Sequence, residues 1–402
     1  MMSTALLFAC QSGGGSVETR EGSAEGGIVA AQVGDPTPPA KVTIAPADNR
    51  VNVPLDAAVK ATVSGGTLSK IAVTAANGAK VKGTLSDRKT AWSSNVALAA
   101  DSVYQVEVTA LNAEGEPTEV IQTFSTLKPA KELGTDIMPL EGSSVGVAMP
   151  ITLKFDEPVA NRAAVEKRLE VQTSKPVEGS WHWFSDEEVR YRPKSYWPAH
   201  TKVTVKAHMR GVRADNGAWG VNDKVRRFSI TNSVITKVNL ADHHARVYID
   251  GKLRRTIPVT GGKPGWRTRD GIKVILEKRE NILFRNEAIG AAEHYRLLSR
   301  WGLRVTWSGE FLHTASWSTG SQGSANVSHG CIGMNSADSG WLWGVSHVGD
   351  PVEVHSPEGG AMEPSNGFGD WNFSWKDYKA GSALAPQPVK AATGSKQEKA
   401  GR

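Results

Sequence analysis

At 402 residues the chain is too long for one ordinary core, and a prior of ~150 residues per domain suggests two to four units. An apolar content of 39% with 41 Gly and 20 Pro describes a globular protein with room for many turns. The formal charge of +6 suits any polyanionic neighbour, whether wall polymer, membrane surface or nucleic acid, and no RNA- or DNA-binding motif singles out the last. Cys10 and Cys331 are the only cysteines, which excludes a disulfide framework.

Near the N-terminus, Leu7-Phe8-Ala9-Cys10 resembles the end of a lipoprotein signal peptide, in which the cysteine is lipidated and becomes the mature N-terminus. Nine residues without Lys or Arg precede Cys10, so the basic region and most of the apolar stretch of such a peptide are missing. A chance apolar end is the alternative. No other apolar run approaches the ~20 residues of a spanning helix, so the expected location is extracytoplasmic, at the cell surface or wall, with a lipid anchor in the plasma membrane. With Cys10 modified, Cys331 is a lone thiol outside the reducing cytosol, a liability unless its reactivity is wanted. Residues 11–40, rich in Gly, Ser, Glu, Ala and Pro, read as a linker and close a first segment, 1–40.

Residues 41–128 alternate in short segments, such as Lys41-Val42-Thr43-Ile44 and Val103-Tyr104-Gln105-Val106-Glu107-Val108, separated by Gly65-Gly66, Asn77-Gly78 and Glu114-Gly115. Roughly 90 residues of this kind suggest an immunoglobulin-like sandwich. The pattern repeats over 129–232, where the run 145–155 parallels 51–61 and Arg227-Phe228-Ser229-Ile230 parallels Thr123-Phe124-Ser125-Thr126. A second sandwich in tandem follows, with a short helix expected over 161–169. Trp181, Trp183 and Trp197 are read as core or junction aromatics ahead of a sugar-binding face.

A third unit spans 233–357. Strands are expected at 234–240, 245–249, 253–259, 272–276 and 304–307, with Asp250-Gly251 as a hairpin turn and helix over 336–345. The extension 358–402 carries Trp371, Phe373, Trp375 and Tyr378, too aromatic for a free linker, and is expected to pack back on this third unit before order decays after Leu384. The fold class is mainly β.

Chemistry concentrates in the third unit. His313, fifteen intervening residues and then Ser328-His329-Gly330-Cys331 bring two imidazoles into relation with the thiol. An imidazole can take the proton of a thiol whose ordinary pKa is about 8.5, giving a thiolate that attacks a carbonyl. Gly330 lets backbone approach the substrate, and N–H groups around Gly330 and Cys331 are candidates for holding an oxyanion. A zinc site is the weaker reading, since the spacing matches no common pattern and no acidic fourth ligand stands out. Burial is the usual fate of a lone cysteine. Papain-type hydrolases place Cys before His along the chain, the reverse of the order here.

The segment resembles the L,D-transpeptidase (YkuD-type) signature: His, some 14–17 residues, Ser or Thr, His-Gly-Cys, an apolar residue, then Asn or Arg. The resemblance extends over about 234–380, and the two preceding sandwiches and the Gly369-Asp370-Trp371-Asn372 tail resemble the actinobacterial type. By position it implies Cys331 as nucleophile, His313 as general base oriented by the Thr314 carbonyl, His329 as supporting group, Tyr295 on a lid and Trp317 at the pocket rim. Ser328 and Asn335 join the substrate-binding set, Asn335 because Gly333 stands where the family usually has Asn or Arg. The implied activity is an acyltransferase reaction needing no metal or organic cofactor. A tetrapeptide stem of peptidoglycan acylates Cys331, and the diamino acid of a neighbouring stem resolves the thioester as a 3→3 cross-link. An L,D-carboxypeptidase using the same residues and a wall-binding protein with a vestigial site remain as rivals.

Overall fold

The computed structural model describes residues 37–385, apart from 216 and 289. Cys10 and the segment after 385 lie outside the described residues. The first sandwich pairs one sheet of Lys41–Ala45, Lys60–Ser64, Ala91–Ser94 and Gly83–Leu85 with another of Arg50–Val53, Pro117–Thr126, Val103–Leu111 and Thr67–Ala75. Along Val103–Leu111 the alternation buries Tyr104, Val106, Val108 and Ala110, as a strand with one face to a core requires. The second sandwich repeats this strand order: Thr135–Met138, Ile151–Phe155, Glu188–Pro193 and Gly179–Trp183 against Ser144–Val145, Lys224–Ile230, Lys202–Ala207 and Leu169–Thr173. In both, the short second strand runs parallel to the last one, Val53 opposite Thr126 and Val145 opposite Ile230. The sequence repeat is thus a structural one. The expected helix is a short one, Arg162–Glu166, whose N-cap Asn161 accepts from Ala164 N–H at 3.1 Å. Trp181, Trp183 and Trp197 are buried in the second core.

The third unit holds two sheets. One contains Lys252–Pro258, His244–Ile249, Val234–Asn239, Pro351–His355 and Gly271–Val274; the other contains Glu277–Arg285, Arg296–Arg304, Phe311–Thr314 and Ile332–Met334. Asp250 (φ 49°) and Gly251 (φ 76°) make the expected tight turn. Helix Ser336–Val345 lies where the sequence placed it, and Leu342 sends the helix into the core with Ile332, Met334, Leu312 and Val238. Two expectations shift. Residues 304–307 form the end of a strand and a turn, because Val305 N–H bonds Glu310 O and Gly309 takes φ 102°. The aromatic tail packs chiefly on the second sandwich: Phe368 and Ala383 join that core, while Arg190 and Arg192, on the outer face of Glu188–Pro193, are buried beneath it. No helix among the described residues is long and apolar enough to cross a membrane.

Candidate active site

Cys331 immediately precedes Ile332–Met334, which runs parallel to Phe311–Thr314 with Gly333 opposite His313. This register sets the thiol turn and the imidazole on neighbouring strands, and both line a cavity of about 590 Å³. The turn is tied by its own residues. Ser328 Oγ donates to Cys331 O at 2.6 Å and accepts from Gly330 N–H at 3.2 Å, and Thr268 Oγ1 donates to Gly330 O at 2.9 Å. Gly330 has φ 110°, a conformation that a side chain would strain. The thiol itself donates to Gly309 O at 3.6 Å.

His313 is 5% exposed. Its Nδ1 lies 2.8 Å from the Thr314 carbonyl, which can only accept, so Nδ1 carries the proton and Nε2 is left as the basic nitrogen. The Thr314 hydroxyl shares a 2.6 Å bond with Ser339 of the helix. Trp317 stacks on the imidazole at 5.7 Å and Phe284 packs at 4.6 Å. Burial pushes His313 down to about 4, against the pull of its bond to Thr314. Burial pushes the Cys331 thiol up to about 12; a backbone bond from Phe311 opposes this, Glu310 adds to it and Lys273 offsets it. The resting pair is therefore a neutral thiol beside a neutral imidazole. Burial thus works against a standing thiolate–imidazolium pair here, although Cys331 itself is only part-buried.

Tyr295 comes from the loop joining Glu277–Arg285 to Arg296–Arg304 and stacks on His329 at 5.3 Å. Trp266 also meets His329, edge-on, at 5.2 Å. His329 Nε2 lies 3.3 Å from Glu293 Oε2, and Glu293 also pairs with Lys263. Of the residues singled out by sequence, Cys331, His313, His329, Tyr295, Trp317 and Ser328 line one cavity, with Thr314 and Gly330 behind it. Asn335 is not among them. It caps helix Ser336–Val345, accepting from Asp338 N–H, so its side chain is spent on the helix. Trp307, Phe284 and Arg304 line the cavity without having been read from sequence, and Thr268 offered no signal at all. Among the described residues, no group of three or more His, Cys, Asp or Glu could hold a metal ion.

Family comparison agrees with this geometry. The L,D-transpeptidase catalytic domain family matches residues 233–354, and the bacterial Ig domain family matches 50–213, across both sandwiches. L,D-transpeptidase 2 of Mycobacterium tuberculosis (strain CDC 1551 / Oshkosh) is 33% identical over 349 residues, covering 86% of this chain and 85% of that protein. The chain belongs to the L,D-transpeptidase family. L,D-transpeptidase 5 of Mycobacterium tuberculosis (strain ATCC 25618 / H37Rv) is 32% identical over 367 residues, 89% of this L,D-transpeptidase and 80% of that one. The solved structure of LD transpeptidase LdtMt1 in complex with imipenem is 33% identical and covers 56% of this chain and all of that one, at a TM-score of 0.49.

Proposed function

We propose that the enzyme cross-links peptidoglycan outside the cytoplasm, joining the third residues of two stem peptides through a thioester on Cys331. As Sγ attacks the carbonyl carbon of the donor stem's third residue, its proton passes to His313 Nε2, and the tetrahedral intermediate expels the terminal D-Ala, whose nitrogen takes that proton. The side-chain amine of an acceptor stem then attacks the thioester, losing its proton to His313, and Cys331 leaves as the thiol. The observation that carries this reading is the 2.8 Å bond that fixes the His313 tautomer beside Cys331 in one cavity. Gly330 N–H is committed to Ser328 Oγ, which makes the Cys331 N–H the proposed oxyanion donor. Tyr295 and Trp317 supply the walls against which the stem is held.

Mass spectrometry of the intact enzyme with a tetrapeptide stem tests this. A stem adduct on Cys331, released D-Ala and a dimeric product are expected, and Cys331→Ala should abolish all three. A hydrolysed stem with no dimer would make the enzyme an L,D-carboxypeptidase. The family likeness includes an imipenem complex, so a carbapenem is expected to acylate Cys331 as well. The lipid anchor at Cys10 is proposed from sequence, and Cys10→Ala should release the protein from the membrane fraction.

A further inference from the structure

A buried charge cluster lies directly behind the nucleophile. Lys273 is 0% exposed, and its Nζ donates to Glu310 Oε2 at 2.6 Å. Glu310 Oε1 receives Arg269 N–H at 3.0 Å and the Arg269 guanidinium at 3.3 Å. Burying the Lys273–Glu310 pair is costly unless each charge is compensated, as it is here by the ion pair and the partly exposed Arg269. The cluster also joins three separate pieces of the site. Lys273 belongs to the strand Gly271–Val274 of one sheet, and Arg269 follows Thr268, which holds Gly330 O. Glu310 lies in the middle of residues 309–311, whose backbone meets the sulfur on both sides: Gly309 O accepts from Sγ–H, and Phe311 makes a backbone bond to the sulfur. A Cβ built on Gly330 would come 3.9 Å from Glu310 Oε1, which places the carboxylate near the thiol turn. Two residues later the same strand delivers Leu312 and then His313.

We propose that Glu310, gripped by Lys273 and Arg269, is a positioning residue for the nucleophile: it fixes the 309–311 backbone that cradles the Cys331 sulfur in register with His313. The inference rests on Cys331 being the nucleophile. The ionisable groups about the sulfur include Glu310 and Lys273 behind it, His313 on the neighbouring strand, His329 on its own turn and Tyr295 on the facing loop, with Arg279, Arg285 and Arg304 lining the same cavity. Of these only Glu310 and Lys273 form a buried charged pair, with opposite effects on the thiol.

The test uses the full chain and iodoacetamide alkylation of Cys331 at pH 8. Glu310→Gln removes the anion and leaves the ammonium, so the thiol should become more acidic by about one unit. More thiolate, each ion somewhat less nucleophilic, gives alkylation about threefold faster. Lys273→Met should slow it about threefold. Acyl transfer from a tetrapeptide stem should fall at least tenfold in both variants, because the cradle is loosened in each. Opposite shifts in alkylation with a common loss of transfer are what a merely structural pair would not produce. Shifts of the same sign, or none, overturn the proposal. Should Lys273→Met fail to fold, Arg269→Gln replaces it with slowing expected. Failure of the parent protein to form a stem adduct on Cys331 would instead overturn the nucleophile assignment itself.

Discussion

At the scale of single residues, the two histidines separate by what holds them. His313 is buried, with one nitrogen fixed by Thr314, whereas His329 is held between Tyr295 and Trp266 and faces Glu293. His313→Ala should therefore lower acyl transfer at least a hundredfold, and His329→Ala about tenfold. The pH dependence follows from the same burial. With His313 pushed down to about 4, its Nε2 stays unprotonated as pH falls from 7 to 5, so on the proposed mechanism the acid limb of acylation should lie near pH 4 and not near 6.5. With the thiol pushed up to about 12, iodoacetamide alkylation should climb roughly tenfold per pH unit between 7 and 9. A plateau beginning near pH 6 would reveal a standing thiolate–imidazolium pair and contradict the neutral resting state. Gly333 is a second residue-scale case. A Cβ there would sit 2.8 Å from Ala315 Cβ and 3.0 Å from Thr260 Cγ2, so the neighbours must shift to admit one. Gly333→Asn should cost about 1–3 kcal/mol, read as a lower unfolding midpoint in urea.

At the scale of elements, legibility depended on whether a segment buries one face. Val103–Leu111 and Val234–Asn239 alternate in burial, so their strands could be read directly from Tyr104, Val106 and Val108 or from Val234, Thr236 and Val238. The long pair Glu277–Arg285 and Arg296–Arg304 could not, since the first has no fully buried residue and the second buries chiefly its C-terminal end. Tyr295 was nevertheless reached through the family resemblance, while Phe284 and Trp307, on segments without alternation, were missed. Asn335 misled for a different reason. It was read as a substrate contact in place of the Asn or Arg that the family usually has at Gly333, yet an Asn just before a helix is equally a cap, and the cap is what forms. Asn335→Ala should cost about 1 kcal/mol of stability, seen as a fall of a few degrees in Tm, with acylation of the folded enzyme little changed. The loop that carries Tyr295 offers the complementary outcome. Lys263 holds the Glu293 carboxyl down at about 2, with help from His329, so this carboxylate stays charged through mild acid. Glu293→Gln should raise KM for the donor stem severalfold by freeing the loop that carries Tyr295, while leaving Cys331 alkylation unaffected.

At the scale of the whole molecule, the two sandwiches differ in how they meet the catalytic unit, and sequence periodicity alone made them look alike. Arg190 and Arg192 alternate with Val189 and Tyr191 as if they faced solvent, but the tail, some 180 residues later, covers them. Arg190 bonds Gly367 O and Asp370 Oδ2 at 3.1 and 3.0 Å, and Arg192 bonds Asp370 O and Phe373 O, each at 3.1 Å. Tyr378, fully buried, donates to Asp370 Oδ1 at 3.0 Å. Backbone bonds from Gly146 and Ala148 to Val348 O and Gly349 O, and Tyr196 Oη donating to Glu353, add a second seam. The first sandwich meets the second, with Gly211 close against Ala97 and Leu55 beside a cleft of about 710 Å³. The two truncations should therefore behave differently. A chain beginning at residue 129 keeps the whole second seam and should be acylated by a carbapenem at close to the parent rate, with an unchanged Tm for its catalytic unit. A chain beginning at residue 231 leaves Asp370 without its arginines and Phe368, Trp371 and Tyr378 without their cover. A bare aromatic patch and a tail that has lost its partners favour association and opening, so this shorter chain should aggregate or unfold well below the parent's Tm. Light scattering and a thermal scan of both truncations decide the matter: equal stability of the two would mean that the tail does not need the second sandwich.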